Sequence, residues 1–237
     1  MGFVDLHSHV LAAIDDGSPD LTTSVAILEA LAAVGFSEVC ATPHQKAGQF
    51  LPSADDIDRA YAAVSAVRTA AMPALHLGAE NMWDDVFFER SQRGAIPSYD
   101  RGAAFLFELR PTDLPAAIFD HLFRLRTEGK VPVLAHPERY EALWDDDALA
   151  DRLAHACVMV VDLPAIAGYH GRRQSKQARR LLERGLIKAA ASDAHTPGDA
   201  KQAAEGLAWI EKKLGARAVT RLCETNPRAI LAGDIPD

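Results

Sequence analysis

His7 and His9 follow the apolar run Phe3 to Leu6 with a spacing of two, which projects both side chains from one face of an extended segment. The same placement recurs along the chain. Asp16 lies in Ile14-Asp15-Asp16-Gly17, His44 closes Ala41-Thr42-Pro43-His44, Glu80 closes Gly78-Ala79-Glu80, and Glu108 follows Phe107. His136 stands in Ala135-His136-Pro137, and Asp193 and His195 stand in Ser192-Asp193-Ala194-His195. A lone histidine at a strand end is more often a satisfied polar group, and His44 or His136 taken singly would be read that way. Four carboxylates and five histidines gathered around one cavity are different, because they are costly to desolvate without cations. Mixed imidazole and carboxylate donors suit divalent metals of hard to borderline character. His76, His121, His155 and His170 have no such setting and are given no role.

These donors meet only if the intervening elements bring the ends of the apolar runs to one rim. β-rich runs lie at Phe3 to Leu6, Glu38 to Thr42, Ala74 to Gly78, Ala103 to Phe107, Val131 to Ala135, Val158 to Asp162 and Ile187 to Ala191, about seven strands. Helical periodicity falls between them, at Leu21 to Val34, Ala54 to Ala71, Leu114 to Glu128, Asp145 to His155 and Arg173 to Arg184. Such alternation predicts an α/β chain of parallel βα units closing into a distorted (β/α)7 TIM-like barrel, one domain over residues 1–237, with a doubly wound open sheet as the alternative. In a barrel the carboxyl ends of the strands converge on one face, which is where the nine donors fall.

Composition is compatible with that reading, since 237 residues with 49% hydrophobic content can bury a full core. The formal charge of −8 argues against nonspecific binding to nucleic acid or anionic lipid. Cys40, Cys157 and Cys223 are odd in number and far apart, which suits reduced thiols in the cytoplasm. The opening Met1-Gly2-Phe3-Val4-Asp5-Leu6-His7 puts an acid and a histidine where a signal peptide needs an apolar run, and no later segment is long enough to span a bilayer. The expectation is a cytoplasmic protein without membrane insertion.

Taken together, Asp5-Leu6-His7-Ser8-His9, Ile14-Asp15-Asp16-Gly17, Ala41-Thr42-Pro43-His44, Gly78-Ala79-Glu80, Phe107-Glu108-Leu109, Ala135-His136-Pro137-Glu138-Arg139-Tyr140 and Ala191-Ser192-Asp193-Ala194-His195 resemble the polymerase and histidinol phosphatase (PHP) superfamily. Within it the sequence is most similar to the bacterial manganese-dependent protein tyrosine phosphatases that act on tyrosine kinases of exopolysaccharide synthesis. The resemblance runs from Phe3 to Asn226-Pro227 and fills all nine metal-ligand positions of that family with the expected residue type. It implies the PHP fold and two or three divalent ions, manganese first, with iron or zinc as alternatives. It implies one metal pair held by His7, His9, Glu80, Glu108, His136 and Asp193, with Glu80 bridging, and a third metal held by Asp16, His44 and His195. Arg139, Glu80 and Glu108 are then the expected catalytic residues, and the tail of a bacterial tyrosine kinase the expected substrate. Three divalent ions against four carboxylates leave a surplus of about two positive charges with the histidines neutral. That surplus would attract a phosphate dianion and bring a bound water towards hydroxide, the expected nucleophile.

Arg139 follows His136 by three residues, and its planar fork could grip phosphate oxygens; a surface ion pair with Glu138 or Glu141 is the plainer reading. Relatives usually carry a second arginine shortly after the Asp-x-His segment, whereas here Thr196-Pro197-Gly198-Asp199-Ala200 leads only to Lys201. Arg110 or Lys201 could substitute, with exposed structural roles equally open. Asp162-Leu163-Pro164-Ala165-Ile166-Ala167-Gly168 also departs from the amide-and-serine segment of the relatives. The basic stretch Arg172, Arg173, Lys176, Arg179, Arg180 and Arg184 reads first as a solvated helix face and second as a guide for an acidic phosphotyrosine tail. Asp5 either orients His7 or satisfies backbone donors. Cysteine-dependent phosphatase chemistry needs five residues between cysteine and arginine, but Cys223 and Arg228 enclose four, and neither Cys40 nor Cys157 has an arginine at that spacing. The alternatives to phosphotyrosine hydrolysis are a small-molecule phosphatase, such as one acting on histidinol phosphate, and a metal-binding module without turnover.

Overall fold

The apolar runs fold as strands paired in parallel, and two of them are broken in two. The computed structural model describes residues 2–236, so the ends of the expected domain, Met1 and Asp237, lie outside the described residues. The strands are β1 Phe3–Ser8, β2 Phe36–Ala41, β3 His44–Gln45, β4 Ala74–Leu77, β5 Glu80–Met82, β6 Ala104–Glu108, β7 Val131–Ala135, β8 Val158–Asp162 and β9 Ala189–Ala191. They form a three-stranded sheet ordered β1-β2-β4 and a six-stranded sheet ordered β3-β5-β6-β7-β8-β9.

The two strands beyond the expected seven, β3 and β5, arise from breaks in the backbone. Pro43 has no N–H to give to a ladder. Gly78 lies where a Cβ would come within 2.9 Å of the Tyr99 ring, so a side chain there would collide. Before the breaks, β2 pairs with β4 in the register Glu38 to Ala74; after them, β3 pairs with β5 in the register His44 to Glu80. Each segment therefore starts in one sheet and ends in the other, and His44 and Glu80 are set at the turn between the two. At the other side, Asp193 N donates to His7 O at 2.9 Å and His9 N donates to Ala194 O at 2.8 Å, tying the end of β1 to the residues after β9.

The helices are α1 Leu21–Val34, α2 Ala54–Val67, α3 Asp85–Gln92, α4 Ile118–Thr127, α5 Asp147–Ala156, α6 Leu163–Ala167, α7 Arg172–Glu183, α8 Asp199–Leu214, α9 Ala216–Thr220 and α10 Asn226–Leu231. Helix α1 has the expected bounds because both ends are capped: the Asp20 carboxylate accepts from Thr23 N, and Gly35 takes the left-handed conformation at the C-terminus. Helix α2 stops four residues short of Ala71, ahead of Pro73, and α4 starts four residues after Leu114, beyond Pro115. Among the described residues no helix is long and apolar enough to cross a membrane.

Alternate strand residues serve two cores. Val4, Leu6, Cys40, Leu106, Val133, Ala135, Val160 and Ala191 pack in one cluster. Phe105, Phe107, Leu134, Met159, Val161 and Ala190 pack in another with Ile27, Leu31, Leu122 and Leu181 of the helices. Strands buried on both faces read in sequence as continuous apolar runs rather than as an alternation. Helix α8 crosses α6 so closely that a Cβ on Gly206 would lie 2.3 Å from the Leu163 carbonyl oxygen, next to the end of β8. Gly206→Ala is therefore expected to destabilise the fold by about 1–3 kcal/mol, read as a lower midpoint of thermal unfolding. An unchanged midpoint would mean that the two helices part freely.

Candidate metal centre

Glu80 sits at the hub of the strand ends. Its Oε1 is 2.8 Å from His136 Nε2, and its Oε2 is 2.9 Å from His44 Nδ1, 3.3 Å from His7 Nε2 and 3.4 Å from His9 Nε2. His7 and His9 project from the same side of β1 as their spacing predicts, with their Nε2 atoms 3.2 Å apart. Asp193 Oδ1 is 3.4 Å from both, and Glu108 Oε1 is 3.4 Å from His44 Nδ1. Asp16, half exposed at the mouth, places Oδ1 3.4 Å from His44 Nε2 and 3.6 Å from His195 Nε2. All nine sequence candidates are thus brought together, in overlapping groups: His9 with Asp16, His44 and His195; His7 with Glu80 and His136; His7 and His9 with Asp193; His44 with Glu80 and Glu108.

The backbone is bent to achieve this. His136 and Asp193 have φ of 35° and 48°, left-handed values that cost a non-glycine residue about 1–3 kcal/mol and persist only where the surroundings enforce them. After His9 the chain turns back so tightly that a Cβ on Gly17 would be 2.2 Å from the His9 carbonyl oxygen, and this turn delivers Asp15 and Asp16 to the rim.

The electrostatics call for positive charge among the donors. Burial alone would raise Glu80 and Asp193, yet His7, His136 and His44 hold Glu80, and His7, Arg139 and His9 hold Asp193, well below the usual carboxylate range. Burial would likewise depress His7, His9 and His44, but the surrounding carboxylates more than offset it, and His44 is raised to about 10. His44 Nδ1 makes no hydrogen bond although Glu80 lies 2.9 Å away, and Glu108 Oε1, 3.4 Å from the same nitrogen, is also buried without a partner. Lone pairs aimed into a shared space without hydrogen-bond geometry fit metal coordination, and the donor types fit divalent ions.

Residues 3–232 match the family of capsular polysaccharide synthesis proteins CpsB/CapC. The chain belongs to this family. The tyrosine-protein phosphatase CpsB of Streptococcus pneumoniae is 28% identical over 240 residues, covering 96% of this chain and 98% of that protein. The tyrosine-protein phosphatase YwqE of Bacillus subtilis is 26% identical over 226 residues, covering 93% and 89%. The crystal structures of YwqE and CpsB, called unique metal-dependent tyrosine phosphatases, share the fold with a TM-score of 0.89 at 23% identity, covering 99% of this chain and 96% of that one.

Several residues of this CpsB/CapC site carry no signal in the spacing of the sequence. Asp15, adjacent to the candidate Asp16, is the buried one of the two: its Oδ2 lies 2.8 Å from His9 Nδ1 and accepts from His44 N at 3.1 Å. Burial would raise its carboxyl, but His9 and the N–H groups of Gly17 and His44 bring it below its ordinary value. Asp15 thus fixes the His9 ring, and Asp15→Ala is expected to weaken metal affinity by about 10–100-fold, measured by chelator competition. Unaltered affinity would reduce Asp15 to a loop anchor.

Asp5 takes the second of its two readings, accepting from His7 N at 3.3 Å and from Ser192 N at 2.9 Å rather than meeting the His7 ring; burial lifts it to about 6. Arg139 does not pair with Glu138 or Glu141. It donates to Asp162 Oδ2 at 2.6 Å and to Asp193 Oδ2, so the departure at Asp162 supplies its anchor. Of the two candidates for a second cation, Arg110 lines the pocket, as does Lys46, whose Nζ lies 3.9 Å from Glu108 Oε1; Lys201 does not line it. His170, given no role in sequence, stands with Nδ1 3.6 Å from Asp162 Oδ2 behind Arg139. His76 bridges Glu38 and Asp100, His121 meets Ser91, and His155 meets the Asp151 carbonyl.

Proposed function

We propose that this chain is a metal-dependent phosphomonoesterase that hydrolyses phosphotyrosine carried by a protein, a tyrosine kinase of polysaccharide synthesis. The observation that carries the reading is the convergence of His7, His9, Asp16, His44, Glu80, Glu108, His136, Asp193 and His195, with Arg139 lining the same pocket as most of them. The tyrosine-phosphatase names of its relatives support the substrate class. The pocket, about 280 Å3, is smaller than the ~300–1,000 Å3 of sites that bury a drug-sized ligand, which favours a phosphate carried at the tip of a larger molecule.

In this reading the chain is one domain over residues 1–237 and a distorted (β/α)7 barrel. Support comes from the core cluster shared by strands of both sheets and from the backbone hydrogen bonds between β1 and residues 193 and 194. Two or three divalent ions, manganese first, would be held by the nine ligands, one pair of them by His7, His9, Glu80, Glu108, His136 and Asp193 with Glu80 as the shared donor. Asp16, His44 and His195 would hold the third. The buried, unbridged cysteines fit a reducing cytoplasm.

Divalent ions, when bound, would supply positive charge for phosphoryl oxygens and lower the pKa of a water. The chain's own residues do the rest. Arg139, held by Asp162, presents its fork to phosphate oxygens, and Glu108 and Glu80 orient the histidines around the pocket floor. Tyr140 donates to the Ala135 carbonyl at 2.9 Å and accepts from Leu109 N at 3.1 Å, locking the ends of β6 and β7 that carry Glu108 and His136. A leaving tyrosine phenolate, with a parent pKa of about 10, departs more readily than an alkoxide.

No cysteine serves as nucleophile: all three are buried, and burial raises each thiol, Cys157 to about 12. Single Cys40→Ala, Cys157→Ala and Cys223→Ala variants are expected to keep turnover within about twofold while folded. A phospho-cysteine intermediate by mass spectrometry would contradict this. The substrate class is tested by turnover of a phosphotyrosine peptide and of histidinol phosphate side by side. Preference for the peptide is expected, and preference for histidinol phosphate would move the chain to the small-molecule phosphatases.

A further inference from the structure

We propose that the rim end of α7 docks an acidic peptide segment flanking the phosphotyrosine, an inference that rests on the phosphatase reading above. The cations of this helix are not equivalent. Arg180 pairs with Asp147 at 2.5 Å and Arg184 with Asp151 at 2.6 Å. Arg179 is engaged by the Ile166 carbonyl and by the Trp209 ring, and Arg173 lies over the Trp144 ring. Arg172 and Lys176 remain, exposed and without a carboxylate partner among the described residues. They are four residues apart, hence on one face of the helix. They line a surface groove of about 670 Å3 in which Glu183 is the one acid.

The place of this groove ties it to the reaction. Asp162 at the end of β8 anchors Arg139, and His170 approaches the same carboxylate at 3.6 Å, two residues before α7 begins at Arg172. Helix α7 also packs against the turn Pro137–Arg139. The start of α7 is therefore within reach of residues that flank a phosphotyrosine held at Arg139. The ligand chemistry follows from charge: a strip of free cations selects carboxylates, while the −8 charge of the whole chain repels long polyanions such as nucleic acid and anionic lipid surfaces. A short acidic peptide segment meets the strip without meeting that wider field.

The test uses the full chain and the double variant R172E/K176E on three substrates: a phosphotyrosine peptide with acidic flanks, one with neutral flanks, and 4-nitrophenyl phosphate. The variant is expected to raise KM for the acidic peptide about tenfold at low salt with kcat unchanged, and to leave the other two within about twofold. The difference between the two peptides should shrink as salt is raised. Equal KM changes for both peptides, or none, would overturn the docking site while leaving the phosphatase reading intact. An unmodified chain inactive on 4-nitrophenyl phosphate as well as on both peptides would overturn the phosphatase reading and the docking site with it.

Discussion

Glu80→Ala is expected to lose bound metal and to lower turnover by about a thousandfold or more. No other carboxylate in the site meets four histidines: Glu80 lies within 3.4 Å of His7, His9, His44 and His136. Removing it takes a shared donor from the proposed metal pair and leaves buried imidazoles facing one another. Metal stoichiometry should fall in parallel with kcat, and Glu80→Gln, which keeps the shape but not the charge, should lose metal as well. A folded Glu80→Ala protein with full metal content would remove Glu80 from the centre.

Arg139→Ala separates phosphate binding from metal assembly. A guanidinium stays protonated and cannot ligate a cation, so the variant is expected to keep its metals. Its kcat/KM should fall by roughly 2–3 kcal/mol, about 30–150-fold, the scale of a charged hydrogen-bonded contact. Arg139 also donates to Asp193, a proposed ligand, so some loosening of that carboxylate accompanies its loss. The matching control is Asp162→Asn, which removes the charge of the buried anchor 2.6 Å from the guanidinium and should reproduce part of the defect. If Arg110→Ala costs as much as Arg139→Ala, Arg110 shares the clamp; if it costs nothing, the site works with one arginine. Full activity in folded Arg139→Ala would demote Arg139 to structure.

Much of the fold was legible because β5 to β9 are buried along their whole length and so mostly appear as continuous apolar runs, with candidate ligands within or directly behind most of them. Helix α1 was legible from its caps, Asp20 and Gly35. The division at Gly78 was not, because that break depends on the approach of Tyr99 from a distant segment. Helix α8 carries a glycine in its middle, Gly206, which lowers helical propensity and is explained only by the α6 backbone against it. In the site, residue types and strand-end positions brought out the nine ligand candidates. The choice of Asp15 as the partner of His9, and of Asp162 as the anchor of Arg139, depends on which carboxylate the tertiary fold buries. Spacing along a chain carries no information on that.

In the proposed function, activity on phosphotyrosine is borne by divalent ions on the ligands around Glu80. The most direct measurement is elemental analysis of the purified protein through a cycle of chelation and re-addition of manganese, with hydrolysis of a phosphotyrosine peptide followed at each step. About two to three ions per chain are expected at full activity, with loss of turnover in step with loss of metal and recovery on re-addition. A metal-free preparation that hydrolyses the peptide at the full rate would contradict it.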